Sequence, residues 1–88
     1  MAISFEQAKV LAETIVRARA DAINDEFVII GNETIDKGWL FFYNSKEFIE
    51  TGDYSAALAG NGPIFVDRDG AVKTLPTAIT WQEATRGA

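Results

Sequence analysis

The side chains that most often carry out catalysis are missing from this chain of 88 residues. It contains no histidine and no cysteine, which removes the commonest general base, the thiol nucleophile, the Ser-His-Asp triad and most metal sites. Ser4, Ser45 and Ser55 lie outside the Gly-x-Ser-x-Gly setting of a nucleophilic serine. We therefore expect a protein that is not an enzyme and that needs no cofactor or metal ion.

Two short motifs look like ligand sites but have simpler interpretations. The Gly-Asn-Gly sequence at 60–62 is too short to cradle a phosphate, and Pro63, which follows it, has no backbone N–H to donate. Asp67 and Asp69 could serve acid–base or calcium chemistry, but the rest of a calcium loop is missing. We expect these carboxylates to shape a tight turn by accepting backbone hydrogen bonds, with Gly70 at a positive φ.

The charge of the chain is acidic and unevenly distributed. Thirteen acids against eight bases give a net charge of −5, which speaks against a nucleic-acid partner because lysine and arginine supply most phosphate affinity. Residues 21–53 hold eight acids and two bases, a net −6, whereas residues 1–20 sum to +1 and residues 54–88 to zero. Such a segment attracts a basic protein partner. The simpler alternative is a surface that only keeps the chain soluble.

Acids in the second half of this segment are the candidate contact residues, together with one aromatic neighbour. Their charges would steer a basic partner toward the surface, and a tyrosine beside them would anchor the contact. The candidate partner-binding residues are Glu33, Asp36, Glu47, Glu50, Asp53 and Tyr54.

A long helix is the first element that must position these residues. Ser4 and Gln7 have capping-box spacing, and a helical period continues to Ile23 before a turn at 24–25. Arg19 lies inside the apolar stripe, where we expect its stem to pack on the core and its guanidinium to reach solvent or an acid. A partner contact is the alternative for Arg19. The apolar stripe comprises Phe5, Ala8, Ala12, Ile15, Val16, Ala22 and Ile23.

After the helix, the pattern of apolar residues changes to that of β-strands. Antiparallel strands are predicted near 26–35, 38–45, 63–67 and 71–76, with a bend or bulge at Gly31. A short helical turn is predicted to end at Gly52, and the capping-box spacing of Thr80 and Glu83 predicts another near the C-terminus. The expected fold is α+β: a long N-terminal helix on one face of an antiparallel meander of about four strands, with a short C-terminal helical turn. Residues 1–88 are expected to form a single domain.

The second predicted strand is apolar on both faces. Trp39, Phe41 and Tyr43 share one face, and Leu40 and Phe42 share the other. One helix covers only one face, so the other must be covered by residues 46–60 and the C-terminal segment, or by another chain, which leaves a homodimer open. The residues that we expect to be buried are Phe5, Ala12, Ile15, Ile29, Trp39, Leu40, Phe41, Phe42, Ile64 and Val66.

The chain shows neither a secretion signal near Met1 nor an apolar run long enough to span a membrane. We therefore expect a cytoplasmic protein without a membrane partner.

Three ordered blocks carry a family resemblance. The blocks are residues 38–45 (GWLFFYNS), 51–54 (TGDY) and 60–67 (GNGPIFVD), with Gly70 beyond them. With the leading helix they span roughly residues 1–75, and together the chain resembles the immunity protein 35 family, also called YrhB-like domains. The resemblance implies an α+β bacterial cytoplasmic protein that neutralises a toxin delivered by a neighbouring or sister cell, as in polymorphic toxin systems. It implies no catalytic residues.

Two functions follow as hypotheses. The first is a non-catalytic immunity protein that binds a cognate toxin, with the acidic segment meeting a basic toxin domain. The alternative is a small chaperone-like binder of unfolded or apolar client surfaces, because part of the resembled family is described in that way. A toxin gene beside this one would favour the first hypothesis, and activity on many unrelated clients would favour the second.

Overall fold

The computed structural model describes residues 2–58, 62–75 and 80–86. Its four strands form one antiparallel sheet in the order β1-β2-β3-β4. The α+β class and the four strand positions are confirmed, whereas residues 60, 61 and 76 of the predicted loop and last strand lie outside the described residues. The elements are α1 (Phe5–Ala22), β1 (Phe27–Ile35), β2 (Gly38–Ser45), α2 (Lys46–Thr51), a 3-10 turn (Tyr54–Ala56), β3 (Ile64–Asp67), β4 (Val72–Thr74) and α3 (Trp81–Arg86).

Helix α1 begins at the predicted capping box. The amide of Gln7 donates to Ser4 Oγ at 3.2 Å, and the amide of Ser4 donates to Gln7 Oε1 at 2.9 Å. The two bonds satisfy amides that have no partner inside the helix. At the other end Ile23 is the C-cap, and Asn24 turns the chain with a φ of 55°, a conformation that asparagine adopts more readily than most residues.

The buried face of α1 consists of small side chains spaced four residues apart. Ala8, Ala12, Val16 and Ala20 are buried, and their size lets the helix lie close to the sheet. The prediction that Ala22 and Ile23 belong to this face is wrong. Ala22 lies about 200° around the helix from Ala20, and Ile23 follows the last helical residue and is 62% exposed.

The main core lies between α1 and one face of the sheet. Phe41 stacks on Phe5 with ring centroids 5.9 Å apart, and Phe27 lies 5.9 Å from Tyr43. Phe5, with Ile15 and Ile29, was predicted to be buried, but all three are only half-buried because they pack at the rim of the cluster. The buried members of the cluster are Ala8, Ala12, Val16, Trp39, Phe41, Tyr43, Ile64 and Val66.

Arg19 connects α1 to two strands of the sheet, β2 and β4. Its guanidinium donates to the hydroxyl of Tyr43 at 3.0 Å and to the hydroxyl of Thr74. Its hydrogen-bond partners are two hydroxyl groups, on β2 and β4, where the prediction named an acid or solvent, and the side chain remains partly exposed. The half-buried side chain ties three elements together.

The opposite face of the sheet is also covered by the chain itself. Leu40, Phe65 and Leu75 are buried in a second cluster, with Phe42 only half-buried beside them. Lys37 Nζ donates to the carbonyl of Thr85 at 2.9 Å, which holds α3 against the turn between β1 and β2. The two-sided apolar pattern of β2 therefore gives no reason to require a second chain.

The turn between β3 and β4 follows the prediction. Asp67 Oδ1 accepts hydrogen bonds from the amides of Asp69 at 2.9 Å and Ala71 at 3.0 Å. Gly70 has a φ of 93°, as expected for a residue without a β-carbon. The interpretation of Asp67 as a turn-shaping carboxylate is confirmed.

Replacing Gly70 by alanine should lower the free energy of unfolding by about 1 kcal/mol, because a β-carbon strains a positive φ. Urea denaturation measures the loss. Gly31→Ala is the matched control, since Gly31 is outside the positive-φ region and an added β-carbon there meets no atom within 4 Å. Equal losses in the two variants would contradict the strain at Gly70.

Candidate functional site

The candidate contact residues separate into two groups at opposite ends of the β1–β2 hairpin. Glu33 pairs across from Leu40, and Asp36 lies in the turn that joins the two strands. Glu47 and Glu50 lie on α2, which begins directly after the last residue of β2. The eight residues of β2 span about 26 Å. Glu33 and Asp36 therefore cannot share one small contact surface with the acids of α2.

Basic side chains lie near Asp36. Arg68 Nε donates to the carbonyl of Asp36 at 3.3 Å, and Arg68 Nη2 donates to the carbonyl of Ile35 at 2.6 Å. The guanidinium lies 4.4 Å from the centroid of the Trp39 ring, a favourable cation–π distance. Lys37 lies in the same turn as Asp36, and Asp67, Asp69 and Lys73 lie beside it, so this end carries charges of both signs.

The second group is joined by acids that come from the last turn of α1 and from the residues just before β1. Phe27 pairs with Ser45, so the start of β1 lies beside the start of α2. The amide of Lys46 donates to the carbonyl of Glu26 at 2.9 Å, and Lys46 Nζ lies 3.6 Å from Glu26 Oε2. We call this surface the acidic end; its exposed acids are Asp21, Asp25, Glu26, Glu47, Glu50 and Asp53.

Helix α2 is short, and its ends fix where its acids point. Buried Ser45 caps it: its hydroxyl accepts from the amide of Phe48 at 3.1 Å and donates to the carbonyl of Ala56 at 2.6 Å. The helix ends at Gly52, as predicted from the sequence, and Gly52 has a left-handed φ of 73°. The helix is therefore attached to β2 at one end and to the 3-10 turn through Ser45.

Asp53 follows α2, and two hydrogen bonds stabilise its ionised carboxylate. The hydroxyl of Ser55 donates to Asp53 Oδ1 at 2.8 Å, and the amide of Ser55 donates to the same oxygen at 3.0 Å. These two hydrogen bonds, the hydroxyl bond first, lower the pKa of Asp53 below its ordinary value. The side chain of Tyr54, the aromatic candidate, lies outside the described part of the structure.

Removing the Ser55 hydroxyl should raise the pKa of Asp53 toward its ordinary value, because the stronger of the two bonds to the carboxylate is lost. A pH titration of the Asp53 carboxyl carbon by NMR measures the change in Ser55→Ala. Ser55→Thr keeps a hydroxyl and should keep the lowered pKa. Since the pKa is lowered in the folded state, this carboxylate contributes stability above its unfolded pKa. That contribution disappears as the pH falls through the folded pKa. An identical Asp53 titration in wild type and Ser55→Ala would contradict the assignment.

A groove of about 510 Å³ adjoins the acidic end and runs between α1 and β1. Its floor is apolar, since Val16 and Ala20 are buried and Phe27 to Ile29 are half-buried. Exposed charged side chains form its rim, with acids outnumbering bases. The lining residues are Glu13, Val16, Arg17, Ala20, Asp21, Asp25, Glu26, Phe27, Val28, Ile29 and Lys46.

The arrangement is suited to binding a charged surface. In the described ranges, no three acidic, histidine or cysteine side chains meet as metal ligands. Every buried side-chain nitrogen or oxygen of the described residues has a hydrogen-bond partner, so no buried group there is left over for a ligand. No described helix is both long enough and apolar enough to cross a membrane.

Three acids of this surface were missing from the predicted contact residues. Asp21, Asp25 and Glu26 were counted in the acidic segment, but they precede the part of it from which the candidates were taken. The signal that could have identified them is the pairing of the two predicted strands, since a short turn near residue 36 brings residue 26 next to residue 46.

Comparison with known proteins agrees with the resemblance that the sequence blocks show. The description of a family called immunity protein 35 matches residues 12–86. The chain is 42% identical over 57 residues to "Uncharacterized protein YrhB" of Escherichia coli (strain K12); the alignment covers 64% of this chain and 61% of that protein. No solved structure matches the chain. Since the family match extends over most of the sequence, the chain belongs to the immunity protein 35 family.

Proposed function

We propose that this chain is an immunity protein that binds a protein toxin and neutralises it stoichiometrically, without catalysis. Membership of an immunity protein family supports the toxin-neutralising role. We place its action in the cytoplasm, against a toxin delivered by a neighbouring or sister cell. The observation that carries the proposal beyond the family is the acidic end, where exposed acids of α1, of the loop before β1 and of α2 lie at the same end of the β1–β2 hairpin.

The proposed mechanism is occlusion of a basic cleft. A toxin that acts on nucleic acid must carry lysine and arginine where the phosphates bind, and an acidic protein surface is complementary to such a cleft. Opposite charges would also speed association and help to exclude wrong partners. We assign Glu47, Glu50 and Asp53 to the centre of this contact, Tyr54 to its aromatic anchor, and Glu33 and Asp36 to a peripheral position.

Affinity capture from the producing organism at low and moderate salt tests this proposal. We expect a protein with a basic domain to be captured at low salt and to be released as salt screens the attraction. That domain, expressed alone, should stop bacterial growth, and co-expression of this chain should restore it. Capture of many unrelated proteins with no effect of salt would contradict the proposal.

An apolar patch on α1 is the observation that favours the chaperone-like alternative. Ile3, Val10 and Leu11 line a shallow surface of the helix, and Val10 is 59% exposed. Exposed apolar surface of this kind can bind unfolded clients. Val10→Lys would abolish client protection if the patch has that role, and it would leave toxin binding at the acidic end unchanged.

A further inference from the structure

Strand β1 is an edge of the sheet. It pairs with β2 on one side, and among the described residues no strand pairs with its other side. With nine residues it is also the longest of the four strands. An open edge presents a row of backbone N–H and C=O groups to which another strand can pair.

The hydrogen bonds of β1 show which backbone groups face outward. The carbonyl of Glu26 accepts a hydrogen bond from the amide of Lys46 and therefore points toward β2, whereas the amide of Glu26 donates to Asp25 Oδ1 at 2.7 Å. In an antiparallel ladder the bonded positions alternate, and the amides and carbonyls of Phe27 and Ile29 therefore point away from β2. The ladder shifts register between Ile29 and Gly31, so a continuous pairing surface at this end runs up to Ile29.

The open edge forms one wall of the groove beside α1. Phe27, Val28 and Ile29 line the groove together with Val16 and Ala20 of α1, and the exposed acids Glu13, Asp21, Asp25 and Glu26 form the rim. An extended segment bound here could pair with the strand, place alternate side chains on the apolar floor, and direct basic side chains toward the acids.

We propose that the outer edge of β1 accepts an extended basic segment of the partner as a fifth strand, with its basic side chains on the rim of the groove. This inference deepens the proposed function, on which it rests for the identification of the partner as a toxin. The inference adds backbone hydrogen bonds between β1 and the partner, which binding by charge attraction alone does not require.

A second copy of this chain is less suited to the same edge. Antiparallel self-pairing along β1 would bring the acidic groove rims of the two copies together. Like charges placed opposite each other destabilise a strand pair, and each copy carries a net charge of −5. A basic segment has the complementary charge at the same positions.

An NMR titration with a synthetic peptide tests this inference. The probe is a nine-residue peptide of alternating lysine and valine with both ends capped, added to the 15N-labelled chain. We expect the amide signals of Phe27, Ile29, Ala20 and Asp21 to shift. A peptide with the same side chains and every amide N-methylated should bind at least about tenfold more weakly, because the pairing hydrogen bonds are lost. A peptide of alternating glutamate and valine should not shift these signals.

Two double charge reversals distinguish binding at this groove from an effect of the total charge of the chain. Asp25→Lys with Glu26→Lys should weaken peptide binding by about tenfold, whereas Glu6→Lys with Glu83→Lys, an equal charge change away from the groove, should weaken it much less. Equal weakening by both pairs would overturn the inference. So would equal binding of the N-methylated peptide, or shifts confined to α2 or to residues 3–11.

The experiments distinguish three outcomes: self-association at the edge, failure of this inference alone, and failure of the proposed function alone. If the Phe27 and Ile29 signals shift with the concentration of the chain alone, a second copy occupies the edge and the inference is wrong. If a toxin is neutralised while these amides remain unshifted in its complex, the inference fails and the proposed function stands. If the peptide binds the edge but no toxin is neutralised, the proposed function fails and the basic-segment site stands.

Discussion

Replacing Phe41 by alanine should lower the free energy of unfolding by about 3–5 kcal/mol, a large share of the stability of a small domain. The Phe41 side chain is 0% exposed, and its ring stacks on Phe5 at 5.9 Å. It lies where α1 meets β2, so no neighbour can fill the cavity without moving the helix. Urea denaturation at 25 °C measures the loss.

The neighbouring residue provides the matched control. Phe42→Ala removes the same atoms from the next position of β2, but Phe42 is only half-buried and lies on the opposite face of the sheet. We expect a loss of about 1–2 kcal/mol, since less apolar surface is buried there. Equal losses in the two variants would contradict the assignment of the main core to the face that α1 covers.

Reversing Glu47, Glu50 and Asp53 to lysine should slow association with the toxin by about 10- to 100-fold at low salt. Each reversal adds two charges, so the three together take the net charge from −5 to +1. All three side chains are exposed, so the domain should remain folded. Single reversals should each have small effects, because isolated surface charges contribute little. Stopped-flow association at two salt concentrations measures the change, and circular dichroism checks the fold.

A second triple variant distinguishes a local contact from the total charge. Glu6, Asp69 and Glu83 are exposed acids away from the acidic end, and their reversal to lysine gives the same net charge. We expect this variant to associate several times faster than the first, because steering depends on the charge near the contact. Identical rates for both variants, or rates that salt does not affect, would contradict the assignment of the contact to the acidic end.

Local sequence signals predicted much of the fold. The capping box at Ser4, the end of α2 at Gly52, the positive φ of Gly70 and the bulge near Gly31 each depend on a few adjacent residues. The alternation in β2 correctly predicted which side chains face α1 and which face the second cluster. These features could be predicted because their causes lie within a few residues along the chain.

Features that depend on distant residues were predicted less well. The constraint on Gly38 comes from the close approach of β3, since a β-carbon there would clash with the carbonyl oxygen of Val66. The hydroxyl partners of Arg19 come from β2 and β4, which no local pattern indicates. The composition of the acidic end likewise depends on how β1 pairs with β2.

Titration of the captured toxin with this chain tests the proposed function most directly. The toxin's activity is measured in vitro at a fixed toxin concentration while the amount of the chain is increased. Stoichiometric neutralisation predicts that activity falls to zero near one chain per toxin, and that the reversed Glu47, Glu50 and Asp53 variant needs a large excess. Full toxin activity in the presence of about a tenfold excess of the wild-type chain would contradict the proposal.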